Sequence, residues 1–207
     1  MKKKEDEKHR QWARERFFLL VAILTASFFL VLVVVVVLWV IWVYNGFIRA
    51  VNRTKEAWAD IDVQLKRRYD LIPNLVETVK GYAKHERGAF KEVTEARSRA
   101  LGAQSVSEKG QAENQLAAAL KSIFAIAENY PQLRAVESFV NLQNELADTE
   151  NKIQAARRFY NGNVRDLNTK IQSFPYSLIA RAFNLKEREL FELESGKERQ
   201  PVTVKMS

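Results

Sequence analysis

Two histidines, no cysteine and 25 acidic residues bound the chemistry open to this chain of 207 residues. His85-Glu86 is its nearest approach to a zinc-protease signature, but no second histidine follows four residues on. His9 stands apart in a charged stretch near residue 1. Without cysteine a zinc site would rest on carboxylates almost alone, which is uncommon. A di-iron bundle would need Glu-x-x-His on two helices, and His85 is the single histidine beyond residue 43. No Gly-x-Ser-x-Gly elbow, phosphate-cradling loop or GxGxxG turn is present. The acids and bases sit at spacings that suit exposed pairs on helix surfaces. These residues predict no catalytic site, no cofactor and no metal, and the chain reads as a non-enzyme.

The elements around those residues are informative. Phe17 to Val43 are 27 consecutive residues without a charge, and Val31 to Val37 are six valines and a leucine. At 1.5 Å per residue the run makes a helix of roughly 40 Å, enough to cross a hydrocarbon core of about 30 Å with some tilt. In lipid only a helix satisfies its own backbone, so the valines do not argue for a strand. Trp39, Trp42 and Tyr44 at one end, with Trp12, Arg14 and Arg16 at the other, have the character of membrane-interface anchors. A cleaved leader would be about half as long and would end in small residues, unlike Tyr44-Asn45-Gly46-Phe47.

Seven bases precede the span, against three (Arg49, Arg53 and Lys55) in the fifteen residues after it. That asymmetry places the N-terminus in the cytoplasm and the larger part outside, with the membrane crossed once. The organisation expected is a charged tail over 1–16, a transmembrane helix over 17–43, an extended helical bundle over 44–185 and a C-terminal tail over 186–207. Net charge is +8. Both signs are interspersed without a basic stripe and stacking aromatics, so no nucleic-acid partner is expected.

Apolar residues recur every three or four positions from Val51 through Trp58, Leu65, Ile72 and Val79 to Val93 and Ala100. That spacing predicts one helical face, coiled-coil-like, packed on another helix for about fifty residues. Arg68 and Glu86 are the charges inside this stripe, and Pro73 predicts a kink in it. Gly102 to Gly110 reads as a turn, with Ser105 and Glu108 spaced as a capping box. A third helix would bury Leu116, Ala119, Leu120, Ile123 and Ile126 and end near Pro131. A last helix is expected from Gln132 to Ser173, stopped by Pro175, with a short segment at 177–183 and a frayed end. The fold predicted is all-α: the transmembrane helix followed by an elongated antiparallel bundle of rods about 60–75 Å long. Tyr44-Asn45-Gly46 and Arg49 also find an echo in Tyr160-Asn161-Gly162 and Arg165, which suggests two similar packing layers.

The stretch Asp60 to Val76 (DIDVQLKRRYDLIPNLV), continued by Glu77 to Ala83 and His85-Glu86, resembles the motif of the bacterial LemA family. Phe159-Tyr160-Asn161, Ile171, Phe174-Pro175 and Pro201 to Lys205 follow in family order. The chain departs from the pattern at Leu190, where Tyr is usual, and at Gln200, where a second proline is frequent. The resemblance implies a single-pass protein of the bacterial inner membrane with an elongated helical bundle. It assigns no catalytic residue, and relatives in magnetosome-forming bacteria suggest work on membrane organisation.

Two functions follow from these readings. The first is a membrane-anchored scaffold whose partners are the lipid bilayer and further copies of itself, a homo-oligomer using Phe47, Trp58, Phe90 and Phe124 as surplus aromatics. The second is an adaptor or regulator of another membrane or cell-envelope protein, such as a protease. Its candidate interaction surface is Lys66, Arg67, Arg68, Tyr69 and Asp70, unless Arg67 and Arg68 pair with acids on the last helix.

Overall fold

A computed structural model of the protein describes residues 2–192, and its six helices are joined by turns with no strand among the described residues. Helix α1 spans Lys2–Lys80, α2 Arg87–Gly102, α3 Val106–Glu128, α4 Pro131–Arg134, α5 Glu137–Gln172 and α6 Tyr176–Ala182. The all-α class expected from the sequence is the one observed.

Helix α1 is 79 residues long, about 120 Å at the usual rise, so the apolar run continues without interruption into the bundle. Its apolar stretch reaches a mean hydropathy of 3.2, and none of that window is covered by the rest of the chain. Beyond Val43 the helix becomes amphipathic and packs along α5, while α2 packs on α3. Ile61, Leu65, Ile72, Leu75 and Val79 meet Leu146, Ile153, Tyr160 and Val164 in one core, which Val93, Leu116 and Ile123 complete.

Two expectations need correction. The stripe from Val51 to Ala100 does not lie on one helix, because α1 ends at Lys80 and the chain turns through Gly81 to Glu86. The apolar spacing carries across that turn because α2 folds back to bury its own face. Glu86 falls in the turn and half-exposed, outside the core. Pro73, where a kink is expected, lies inside the continuous α1. The carbonyl of Tyr69, which has no helical N–H donor once proline stands four residues on, accepts instead from Arg97 Nε at 2.7 Å. Second, the last helix begins at Glu137, after the single turn α4, and α5 with 36 residues is about 54 Å long, shorter than the rods predicted.

Ser105 caps α3 as its spacing required. Its hydroxyl accepts from the Glu108 N–H at 3.1 Å, and the Glu108 carboxylate accepts from the Ser105 N–H at 3.2 Å. Inside α3, Ile126 is only half-buried and Ala127 takes the core position one residue later.

The segment after α6 is tied down as far as it is described. Asn184 ends α6 with φ of 52°, the left-handed cap that asparagine tolerates, and the Leu185 N–H returns to the Ala180 carbonyl. Residues 186–192 then run back along α5 without fraying. Asn168 and Asn161 each accept from and donate to the backbone, of Arg188 and Phe191 respectively, at 2.9–3.1 Å. Phe191 is fully buried, edge-on to Trp58.

Candidate functional site

Helical geometry splits the stretch from Lys66 to Asp70 into two faces. Lys66, Arg67 and Asp70 are exposed, whereas Arg68 and Tyr69 turn into the bundle. Arg67 reaches the last long helix at the surface, with Nη1 at 3.5 Å from Asp148 and Nη2 at 4.0 Å from Glu145. Arg68 makes the inward pair. Its Nη1 lies 3.3 Å from Glu113 on α3 and 2.8 Å from Glu150 on α5, so one guanidinium joins three helices. The intramolecular pairing foreseen for both arginines is therefore present, with α3 as an unforeseen participant.

Glu113 is buried, and each of its oxygens is engaged: Oε2 accepts from Arg68 and Oε1 from the Tyr69 hydroxyl. Burial pushes the Glu113 carboxyl above the usual carboxylate value, against the pull of the Tyr69 hydrogen bond and the Arg68 charge. Burial, then the Glu113 charge, pushes the Tyr69 phenol far above its ordinary value. A phenol held protonated and a carboxylate with both oxygens occupied suit a clamp better than proton transfer. The sequence did carry a signal for Glu113. It stands in register with Leu116, Leu120, Ile123 and Ala127, an acid on the apolar stripe of α3, facing the arginine on the apolar stripe of α1.

Above this clamp lies an open groove of about 490 Å³. One wall is Ala117, Leu120, Lys121 and Phe124 of α3, and the other is Gln143, Leu146, Ala147, Glu150 and Gln154 of α5. Arg68 is its floor. Both walls repeat at helical spacing, so the groove is lengthwise, mostly apolar, and edged by one base, one acid and two amides. Among the described residues no group of three or more His, Cys, Asp or Glu could hold a metal.

The aromatics read as surplus are used inside the chain. Phe47 and Phe90 are buried, Trp58 packs on Tyr160 and Phe191, and Phe124 meets Phe139 with centroids 6.4 Å apart. Phe47 and Phe90 leave no free face, Trp58 is largely covered, and Phe124 keeps one side on the open groove. The echoed tripeptides also differ in role. Tyr44 packs on Phe183 of the α6 corner, whereas Tyr160 donates to the Glu189 carbonyl and Asn161 holds Phe191. Of the interface anchors, Trp42 is exposed and Trp39 partly covered by the bundle, with Tyr44 half-buried and Arg16 exposed at the other end of the run. The side chains of Trp12 and Arg14 lie outside the described residues.

The LemA family model matches residues 57–206. Among characterised relatives, a magnetosome protein MamQ of Paramagnetospirillum magneticum is 23% identical over 175 residues, which cover 72% of this chain and 64% of the relative. Magnetosome protein MamQ of Magnetospirillum gryphiswaldense is 22% identical over 174 residues, with the same coverage. Protein LemA of Metamycoplasma hominis is 26% identical over 185 residues, 85% of this chain and 78% of that protein. The chain thus spans somewhat under two thirds of the length of the MamQ proteins.

Proposed function

This chain belongs to the LemA family, and from that premise we propose that it is a non-enzymatic, membrane-anchored scaffold that self-associates. The observation that carries the reading is the open α3–α5 groove, lined at helical spacing and floored by the Arg68 clamp. An amphipathic helix is the occupant such a groove fits, with apolar anchors at three- and four-residue spacing. A second copy supplies that helix most readily. Every copy is held at the same height by α1, and confinement to one plane raises effective concentration in the way a tether does. The MamQ relatives are named as magnetosome proteins, which suits a structural role.

The test is the mass of full-length protein in native nanodiscs, with Ala147→Arg as the probe. Ala147 is exposed on the groove wall, so the substitution should leave helicity and melting unchanged while converting an assembly to single chains. A parent chain that is already single, with no contacts between copies on crosslinking in cells, would sink the scaffold reading. One copy recovered beside a different protein would support the adaptor reading, for which Lys66, Arg67 and Asp70 remain solvent-facing. The reading places the residues before the span in the cytoplasm and the bundle outside. A reporter fused after Ser207 that worked only in the cytoplasm would reverse that orientation.

A further inference from the structure

The bundle meets the membrane span at one corner. Val43 and Phe47 of α1 are fully buried against Leu167 of α5 and Ile179 and Ala180 of α6. The rings of Tyr44 and Phe183 lie 4.6 Å apart. Trp39 and Val40, still inside the uncharged run, are partly covered by the same cluster. Trp39 precedes Val43 by one helical turn, about 6 Å. Helix α6 therefore stands level with the last turn of the span, where hydrocarbon gives way to headgroups.

The outward side of this corner is apolar. Phe174, Leu178 and Phe183 are 81%, 56% and 49% exposed. Leu178 and Arg181 share one side of α6, while Ile179 and Ala180 face α1. Arg49, Arg181 and Lys186 are exposed around it. Of the acids in the same segment, Glu187 accepts from Gln172 at 2.9 Å, and Glu189 lies further along α5, where its carbonyl accepts from Tyr160. Large apolar side chains flanked by bases are what an interfacial segment presents to a leaflet, with long basic side chains reaching back to the phosphates.

We propose that the α5–α6 corner is a second membrane contact, in which Phe174 and Leu178 enter the headgroup–acyl boundary of the leaflet that α1 leaves. Phe183 flanks them, and Arg49 and Arg181 lie beside lipid phosphates. The corner then holds the bundle at a fixed tilt on the bilayer, which a single helix leaving the membrane would not do. The contact requires one copy only, and so stands apart from self-association.

The absence of cysteine allows single-site spin labelling of the full chain. Phe174→Cys and Leu178→Cys would be compared with Phe159→Cys, in nanodiscs of phosphatidylcholine and phosphatidylglycerol holding one copy each. Phe159 is 61% exposed but adjoins Tyr160, which packs on Trp58, fifteen residues past Val43 and about 22 Å along α1. Labels at 174 and 178 should collide several-fold more with oxygen, which concentrates in lipid, than with a water-soluble nickel chelate. The label at 159 should show the reverse. Nickel-dominated collisions at all three positions would overturn the proposal. Exclusion of both reagents at 174 and 178 would overturn it too, since protein and not lipid would then cover the corner.

Discussion

Arg97 donates from Nε to the carbonyl oxygen of Tyr69 at 2.7 Å, and that carbonyl is the one Pro73 leaves without a helical donor. A proline inside a helix costs about 3 kcal/mol, part of it through this lost bond. A guanidinium from α2 replaces the missing N–H, which explains how α1 passes Pro73 unbroken and also pins the α1–α2 hairpin. Arg97→Met should therefore cost about 1–3 kcal/mol in denaturant unfolding, as expected for a charged hydrogen bond to a part-buried acceptor. On a Pro73→Ala background, where the backbone donor returns, the same change should cost clearly less. An equal cost in both backgrounds would mean that Arg97 stabilises the hairpin in some other way.

Arg67 and Arg68 are neighbours with opposite prospects. Arg67 pairs at the surface, where an ion pair contributes at most about 1 kcal/mol. Arg68 neutralises a buried carboxylate, and its removal strands Glu113. Arg67→Ala should shift the melting temperature little, while Arg68→Ala should destabilise by about 3–5 kcal/mol. Replacing both members of the inner pair, Arg68→Met with Glu113→Leu, should recover much of that loss, because no uncompensated charge is then left inside. A double variant as unstable as Arg68→Ala would assign the clamp a larger role, through Tyr69 and Glu150.

What could be read from sequence divides along the same physical line. The long apolar helix, the Ser105–Glu108 cap and the apolar face of α5 were legible because each depends on residues within one or two turns. The turn at Gly81–Glu86 was not, because an apolar period cannot distinguish one long helix from two helices folded back on each other. The core places of Phe47, Phe90, Trp58 and Phe124 depend on long-range partners, as does the return of 186–192 along α5. Arg68 stood out on its stripe, and its partner was an acid out of place on another stripe, 45 residues away. Matching such misfits across helices would have found the clamp. The α6 corner had no local signal, since its place beside Val43 and Phe47 is set by how α5 and α6 pack on α1.

The pH dependence of stability should expose the strained member of the clamp. Burial raises the Glu113 carboxyl above its ordinary 4.5, so the folded chain holds that proton more tightly than the unfolded chain. Below 4.5 the group is protonated in both states. As pH rises, the unfolded chain ionises first, and stability falls until the folded carboxyl ionises as well. Asp148, held low by Lys152, and Glu108, held low by the backbone N–H groups of Gln104 and Ser105, act in the opposite direction. Their stabilisation is present above the ordinary carboxylate range and is lost as pH falls, but both are fully exposed. Comparison with Glu113→Gln isolates the buried group. The melting temperature of the variant, relative to the parent, should climb as pH rises from 4.5 towards neutrality. A difference that stays constant over that range would show that the Glu113 carboxyl is not raised.

The docked segment at 185–192 gives the last test, through a glycine far from it in sequence. A Cβ added at Gly110 would stand 2.6 Å from the Glu192 carbonyl oxygen and 3.7 Å from the Phe191 ring. The near atom is backbone, so it cannot swing aside as a lysine tip could, and the segment itself must move. Gly110→Ala would ordinarily favour a helix by about 1 kcal/mol, but here overpacking should reverse the sign and destabilise by about 1–3 kcal/mol. Phe191→Ala should cost about 3–5 kcal/mol, since it empties a fully buried ring site against Trp58. The two losses should not add. Once Phe191 is gone, 190–192 can lift from α3 and the added methyl meets nothing, so Gly110→Ala should become neutral or mildly stabilising on that background. Full additivity would mean that Gly110 is needed for some contact other than the returning segment. Hydrogen exchange at the Phe191 and Arg188 amides, held by Asn161 and Asn168, should accelerate in both single variants and report the release directly.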